Sequence, residues 1–219
     1  VAMDPTLRRA ADILAVEFRP VMLGRGWDIL DSFLSSLSVH CPEIQASDAS
    51  GAVRRGEPLV AGLVTVCRAL DPARAIQCIA ALPTVSEVLY RTSRRAVLLI
   101  EGHELDVRVG TPDEYGSLLF TTTGPADHVV AVQKRRGPRL SASETEIYTH
   151  AGLAYRPPEP RHAPDALGRA AQRAVPRLIE REDIRGDLHM HTTYSDGRDP
   201  LSRMIQESYA LGYEYIAIT

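Results

Sequence analysis

The string GDLHMHTTYSDG, residues 186–197, places three potential metal ligands, His189, His191 and Asp196, within eight positions. Residues 184–191 read as a strand ending in the two histidines, and Asp199 followed by Pro200 behind it reads as the cap and first turn of a helix. Gly212 ends that helix and residues 213–219 read as a second strand, for which the sequence offers no partner. Strand, loop, helix and strand form the repeating unit of a (β/α) barrel, whose chemistry sits on loops at the C-terminal ends of the strands. Side chains two apart in a strand point to one side, so His189 and His191 can face one ion while the following loop folds Asp196 back toward them. Imidazole with carboxylate suits zinc, manganese or iron, and a bridged pair of such ions can clamp both oxygens of a phosphodiester displacement. The plain alternative is a surface strand with an SDG turn. Placement of the whole string between strand and helix favours the metal site and hydrolysis of a phosphate ester.

Working back toward the start, RPPEPRHAP (156–164) is proline-dense and expected to be an extended linker, since proline lacks a donor and biases its predecessor away from helix. A helix is expected over 165–180. Two early segments, 6–17 and 27–39, carry apolar residues at helical spacing, with Leu30, Phe33, Leu34 and Leu37 on one face of the second. Over 59–109 the pattern changes to short β-branched runs interrupted by one helix, 72–82, with Asp71 as its cap. Helices are expected again over 113–122 and 126–134. The fold class is α+β.

Nine residues, 59–67, make up the longest nearly apolar run, about half of the roughly 20 needed to cross a bilayer, so no membrane span is expected. Cys41, Cys67 and Cys78 lack metal or redox spacing, and a reducing cytoplasm is the simplest reading. A formal net charge of −3 excludes a global positive field, so DNA contact must come from local patches. The candidates are RTSRR (91–95), with Arg94 and Arg95, and QKRRGPR (133–139), with Lys134, Arg135 and Arg136. Exposed arginine clusters of this kind also serve simply as a soluble face. The chain opens on Val1 and stops at Thr219 within an expected strand, so both ends are expected to be cut.

The string at 186–197 resembles the first motif of the PHP phosphoesterases, in which the matching histidines and aspartate bind metal and later strands supply the remaining ligands. Upstream, GAVRRGEPLVAGLVTVC (51–67) resembles the nucleotidyltransferase motif of bacterial family X DNA polymerases, usually Gly-Ser-x-Arg-Arg before a strand carrying Asp-x-Asp. Gly51, Arg54 and Arg55 match, and in the family this turn cradles a triphosphate. Ala52 replaces the serine, and Gly62 and Val64 stand at the two aspartates. Asp106, in ELDVRV (104–109), matches the third carboxylate. LLFTTTGPADHVV (118–130) resembles the nucleotide-contacting Tyr-Phe-Thr-Gly-Ser segment and keeps Gly124, but Thr121 and Thr122 replace the aromatics, Pro125 the serine and Val129 an asparagine. TEIYTHAGLAYRPPE (145–159) resumes the likeness after a thumb that is largely missing. The resemblance is collinear over about residues 30–219.

It implies a helical fingers-like segment (1–40), a degenerate nucleotidyltransferase palm (41–135), a shortened thumb remnant with a proline-rich linker (136–164) and the start of a PHP domain of (β/α)-barrel type (165–219). Manganese or zinc is expected at the PHP site once complete. The lost carboxylates argue against magnesium and nucleotide at the palm. The expected function is that of a fragment of a DNA repair polymerase and 3'-5' exonuclease with an inactive polymerase site. An active template-directed polymerase, or a non-catalytic DNA-binding or assembly module, are the alternatives.

Overall fold

The computed structural model describes residues 20–163, 165–172 and 177–219, and the chain divides into two compact units, Val1–Val175 and Pro176–Thr219. Within the first, β1 (Val21–Met22) leads into α1 (Leu23–His40), and β2 (Ile44–Ser50) runs into the one-turn helix α2 (Gly51–Arg54). Next come β3 (Leu59–Val60), β4 (Leu63–Ala69), α3 (Pro72–Ala80), β5 (Glu87–Arg91), β6 (Arg95–Ile100) and β7 (His103–Gly110). Helices α4 (Tyr115–Thr123), α5 (Ala126–Arg136) and α6 (Glu144–His150), a 3-10 turn (Glu159–His162) and α7 (Ala166–Ala171) complete it.

Five strands form a mixed sheet in the order β2-β4-β7-β6-β5, with β4 and β7 parallel and the other neighbours antiparallel. Alternation along β7 sends Leu105, Val107 and Val109 to one face and Asp106 and Arg108 to the other. The first face packs on the stripe of α1 (Ile29, Phe33, Leu37) and on Ile76 and Ile79 of α3. Asp71 starts α3 as expected, its Oδ1 accepting from the amides of Ala73 and Arg74 at 3.0 and 3.1 Å. Across the opposite face lies α4, with Tyr115 and Leu119 against Val66. A second core joins Phe120, Val132, Ile147, Tyr148 and Leu153. Helices beside a mixed sheet make an α+β architecture compatible with a nucleotidyltransferase-like fold.

In the second unit β8 (Gly186–Met190), α8 (Leu201–Ala210) and β9 (Tyr215–Ile218) make one β-α-β repeat. Gly186 is needed there, because a Cβ would come within 2.3 Å of the Tyr215 carbonyl oxygen. Among the described residues no helix is long and apolar enough to cross a membrane.

Several expectations need correction. The last strand does have a partner: β9 pairs in parallel with β8. Residues 156–163 are not an extended linker, since Glu159–His162 forms a 3-10 turn and Arg156 and Arg161 are both buried. Long-range pairing of Arg161 with Glu144 draws the segment inward against its proline-rich composition. The helix expected over 165–180 is confined, among the described residues, to Ala166–Ala171, with a separate 3-10 turn at Arg181–Asp183. Pro200, not Asp199, precedes the first turn of α8, and the Asp199 carboxylate accepts from Arg203 at 2.8 Å instead. Cys41 and Cys78 are joined by a disulfide across 37 positions, which left no mark in their local spacing. Cys67 is the buried free thiol, its pKa pushed up to about 12 by desolvation and by nearby Asp48. The helix expected over 6–17 lies outside the described residues.

Candidate functional site

In the parallel β4–β7 register Val64 pairs with Asp106 and Leu63 with Leu105. Gly51, with a φ of +63°, sits over the same spot, where a Cβ would meet Val64 Cγ2 at 3.3 Å. Gly51, Val64 and Asp106 thus come together, with one carboxylate among them. On the neighbouring pair, Arg95 of β6 stands directly opposite Arg108 of β7. Like charges facing across a sheet repel, and Asp106 relieves the pair. Its Oδ1 accepts from Arg95 Nε at 2.9 Å, and its Oδ2 accepts from Arg95 Nη2 at 3.0 Å and Arg108 Nη2 at 3.1 Å. The Arg95 pKa is raised chiefly by its hydrogen bond to Asp106.

The turn expected to cradle phosphates is also engaged with the protein itself. Arg54 Nη2 donates to Glu144 Oε2 at 2.7 Å and Nη1 donates to Thr123 Oγ1 at 2.8 Å. Arg55 holds the Glu57 carboxylate and the Thr123 carbonyl oxygen. Ser50 Oγ lies 2.7 Å from Thr122 Oγ1, and a Cβ on Gly124 (φ +63°) would meet Arg55 Nη1 at 3.3 Å. Gly51, Arg54, Arg55 and Gly124 do converge, but both guanidiniums already have protein acceptors.

Behind this turn lies a cluster that the sequence did not disclose. Glu144, at the start of α6, sits between Arg54 and Arg161, whose side chain is fully buried beneath the rings of Phe120 and Tyr148. His128 of α5 shares a 2.7 Å hydrogen bond with the Tyr148 hydroxyl. Burial first, then the nearby Arg161 and Arg156 charges, lower its pKa to about 4. A helical 3.6-residue period could have marked His128 as inward-facing; nothing local could have paired Glu144 with Arg161.

The two basic patches meet. Arg94 and Arg95 from one, and Arg139 from the other, line a cleft of about 610 Å³ together with Arg108, Leu118 and Leu140. Arg94 is paired with Glu114 at 2.5 Å. Lys134 and Arg136 are exposed on the last turn of α5, and Arg135 Nε donates to the Ala151 carbonyl oxygen at 2.9 Å.

In the second unit the end of β8 does bring His189, His191 and Asp196 together. The Nε2 atoms of the two histidines are 3.1 Å apart, and Asp196 Oδ1 lies 2.7 Å from His191 Nδ1. Gly197 makes the return of the loop possible, since a Cβ there would come within 2.4 Å of the His191 backbone carbon. Two nitrogens bound to one zinc at about 2.0–2.1 Å each lie roughly 2.8–3.4 Å apart for angles between 90° and tetrahedral. The histidine pair matches that separation. Asp196 occupies the other nitrogen of His191, so the three groups do not aim at one point, and among the described residues no set of three such side chains is arranged around a common centre.

No family model matches the chain. It is 30% identical over 191 residues to the DNA polymerase/3'-5' exonuclease PolX of Bacillus subtilis (strain 168), an alignment covering 78% of this chain and 33% of that protein. The chain is a distant relative of that enzyme. It spans about a third of its length.

Proposed function

We propose that the chain is part of a family X DNA polymerase whose palm no longer polymerises, and that its working chemistry is phosphodiester hydrolysis at a PHP site to which His189, His191 and Asp196 contribute. The observation that carries the reading is the state of Asp106. It has Val64 beside it in place of an acid and already accepts from two guanidiniums. Two magnesium ions need several free carboxylate oxygens, so this donor set does not fit them, and no step is routed through metal at the palm.

At the other site the donors suit zinc or manganese, with the second unit, Pro176–Thr219, as the start of a barrel whose further strands would complete the ligand set. A metal bound there would activate water for attack on phosphorus. His189 and His191 would hold it through nitrogen, and Asp196 would either join them or orient His191 through Nδ1. The substrate class is DNA, with removal of 3' ends during repair as the role.

Two assays test this. Purified protein is expected to give no template-dependent primer extension with magnesium or manganese; incorporation that disappears in Asp106→Ala would overturn the palm reading. In a form carrying the remaining strands, His189→Ala is expected to abolish nuclease activity without unfolding the protein. Equal hydrolysis with His189 and His191 both replaced by alanine would overturn the PHP reading.

A further inference from the structure

The basic cleft has a charge balance opposite to that of a metal centre. Four guanidiniums, Arg94, Arg95, Arg108 and Arg139, face two carboxylates, Asp106 and Glu114, in a chain whose formal net charge is −3. Among the described residues the Arg139 guanidinium has no ion pair or hydrogen bond. The other three keep donors to offer, because a guanidinium has five N–H groups and each of these uses at most two on a carboxylate. Their side chains are also between 38% and 54% exposed.

An aromatic platform adjoins the cleft. Tyr90 on the edge strand β5 is half-exposed and lies 5.8 Å from the Arg95 guanidinium carbon. Arginines that track a backbone beside an aromatic face on which a base can stack make up the usual equipment for holding a single nucleic-acid strand. At about 610 Å³ the cleft has the volume of a pocket for one small-molecule-sized group, which fits a nucleotide or two of a strand.

We infer that this cleft binds the phosphodiester backbone of a single nucleic-acid strand directly, through arginine and without a divalent cation. The inference rests on the reading of the chain as a DNA-acting protein and names how the palm takes part. Asp106 bridges Arg95 and Arg108 and so competes with the strand for their donors.

Fluorescence anisotropy of a labelled single-stranded oligonucleotide, titrated with the 219-residue chain, tests it. Binding is expected to be the same in EDTA and in magnesium at matched ionic strength. Arg94→Ala and Arg139→Ala are each expected to weaken it and to reduce the slope of log affinity against log salt by about 0.7, the value for one phosphate contact on a single strand. Asp106→Asn is expected to tighten binding several-fold by releasing guanidinium donors. A metal-held strand would instead be weakened by that change. Dependence on magnesium, looser binding in Asp106→Asn, or equal competition by a mononucleotide would overturn the inference. Binding unaffected by the cleft variants but lost in Lys134→Ala/Arg136→Ala would overturn it too, while leaving the DNA-acting reading intact. That reading fails separately, through the nuclease assay.

Discussion

Replacing Glu144 by glutamine removes the counter-charge of a fully buried arginine. Glu144 is buried, its Oε2 2.7 Å from Arg54 Nη2 and its Oε1 2.8 Å from Arg161 Nη2. The Arg161 contact is close but poorly aligned for a hydrogen bond, and Arg161 Nη1 has no acceptor. Without the carboxylate Arg161 retains the Arg156 carbonyl oxygen, at 3.1 and 3.2 Å, and two aromatic faces at 5.7 Å. Breaking a buried pair from one side typically costs about 3–5 kcal/mol. The imperfect alignment and the remaining partners put Glu144→Gln at the lower end, about 3 kcal/mol. Arg54 adds little, being partly solvated.

Urea denaturation followed by circular dichroism measures this as a lowered midpoint with an unchanged slope. Adding Arg161→Leu to Glu144→Gln is expected to recover more than half of the loss, because no unpaired buried charge is then left. A loss under about 1 kcal/mol for Glu144→Gln, or a double variant no better than the single, would refute the idea that the pair is electrostatically coupled.

Two further outcomes follow from the same core and from α3. His128 is neutral in the folded state with a pKa lowered to about 4 from its ordinary 6.5, so the unfolded chain binds the extra proton between those values. Stability contributed by neutral His128 is therefore complete above pH 6.5 and falls as the pH drops to 4, by up to about 3 kcal/mol; urea midpoints across that range should slope less in His128→Phe. Asp71→Ala removes an acceptor from two first-turn amides of α3 and is expected to cost about 1 kcal/mol, read as a lowered melting temperature.

Local pattern told much of the fold. The apolar stripe of α1, the Asp71 cap and the helices at Tyr115–Thr123 and Ala126–Arg136 follow from helical period and from residues that terminate helices. The proximity of His189, His191 and Asp196 was readable too, because it depends only on a short strand end and a loop returning at Gly197, although Asp196 meets the far nitrogen of His191. What could not be read depends on register or on distant partners. Arg95 and Asp106 are 11 positions apart, and only the β6–β7 pairing makes them a forked bridge with Arg108 beside it. Glu144, which accepts from Arg54, and Thr123, which accepts from Arg55, lie 90 and 68 residues away from them. The same distance effect misled the reading of 156–163, where Arg161 goes inside to reach Glu144 rather than remaining with its prolines in solvent.

The trio of Arg95, Asp106 and Arg108 also makes the cost of a substitution depend on which member changes. Losing Asp106 first leaves two positive charges facing each other across adjacent strands. An acid introduced at position 64 would land in register beside the carboxylate that already pairs with both guanidiniums. Loss of either arginine leaves Asp106 the other guanidinium as a partner, whereas loss of Asp106 removes the counter-charge of both. The β6–β7 register thereby makes one carboxylate the shared keystone of two arginines that stand opposite each other on neighbouring strands.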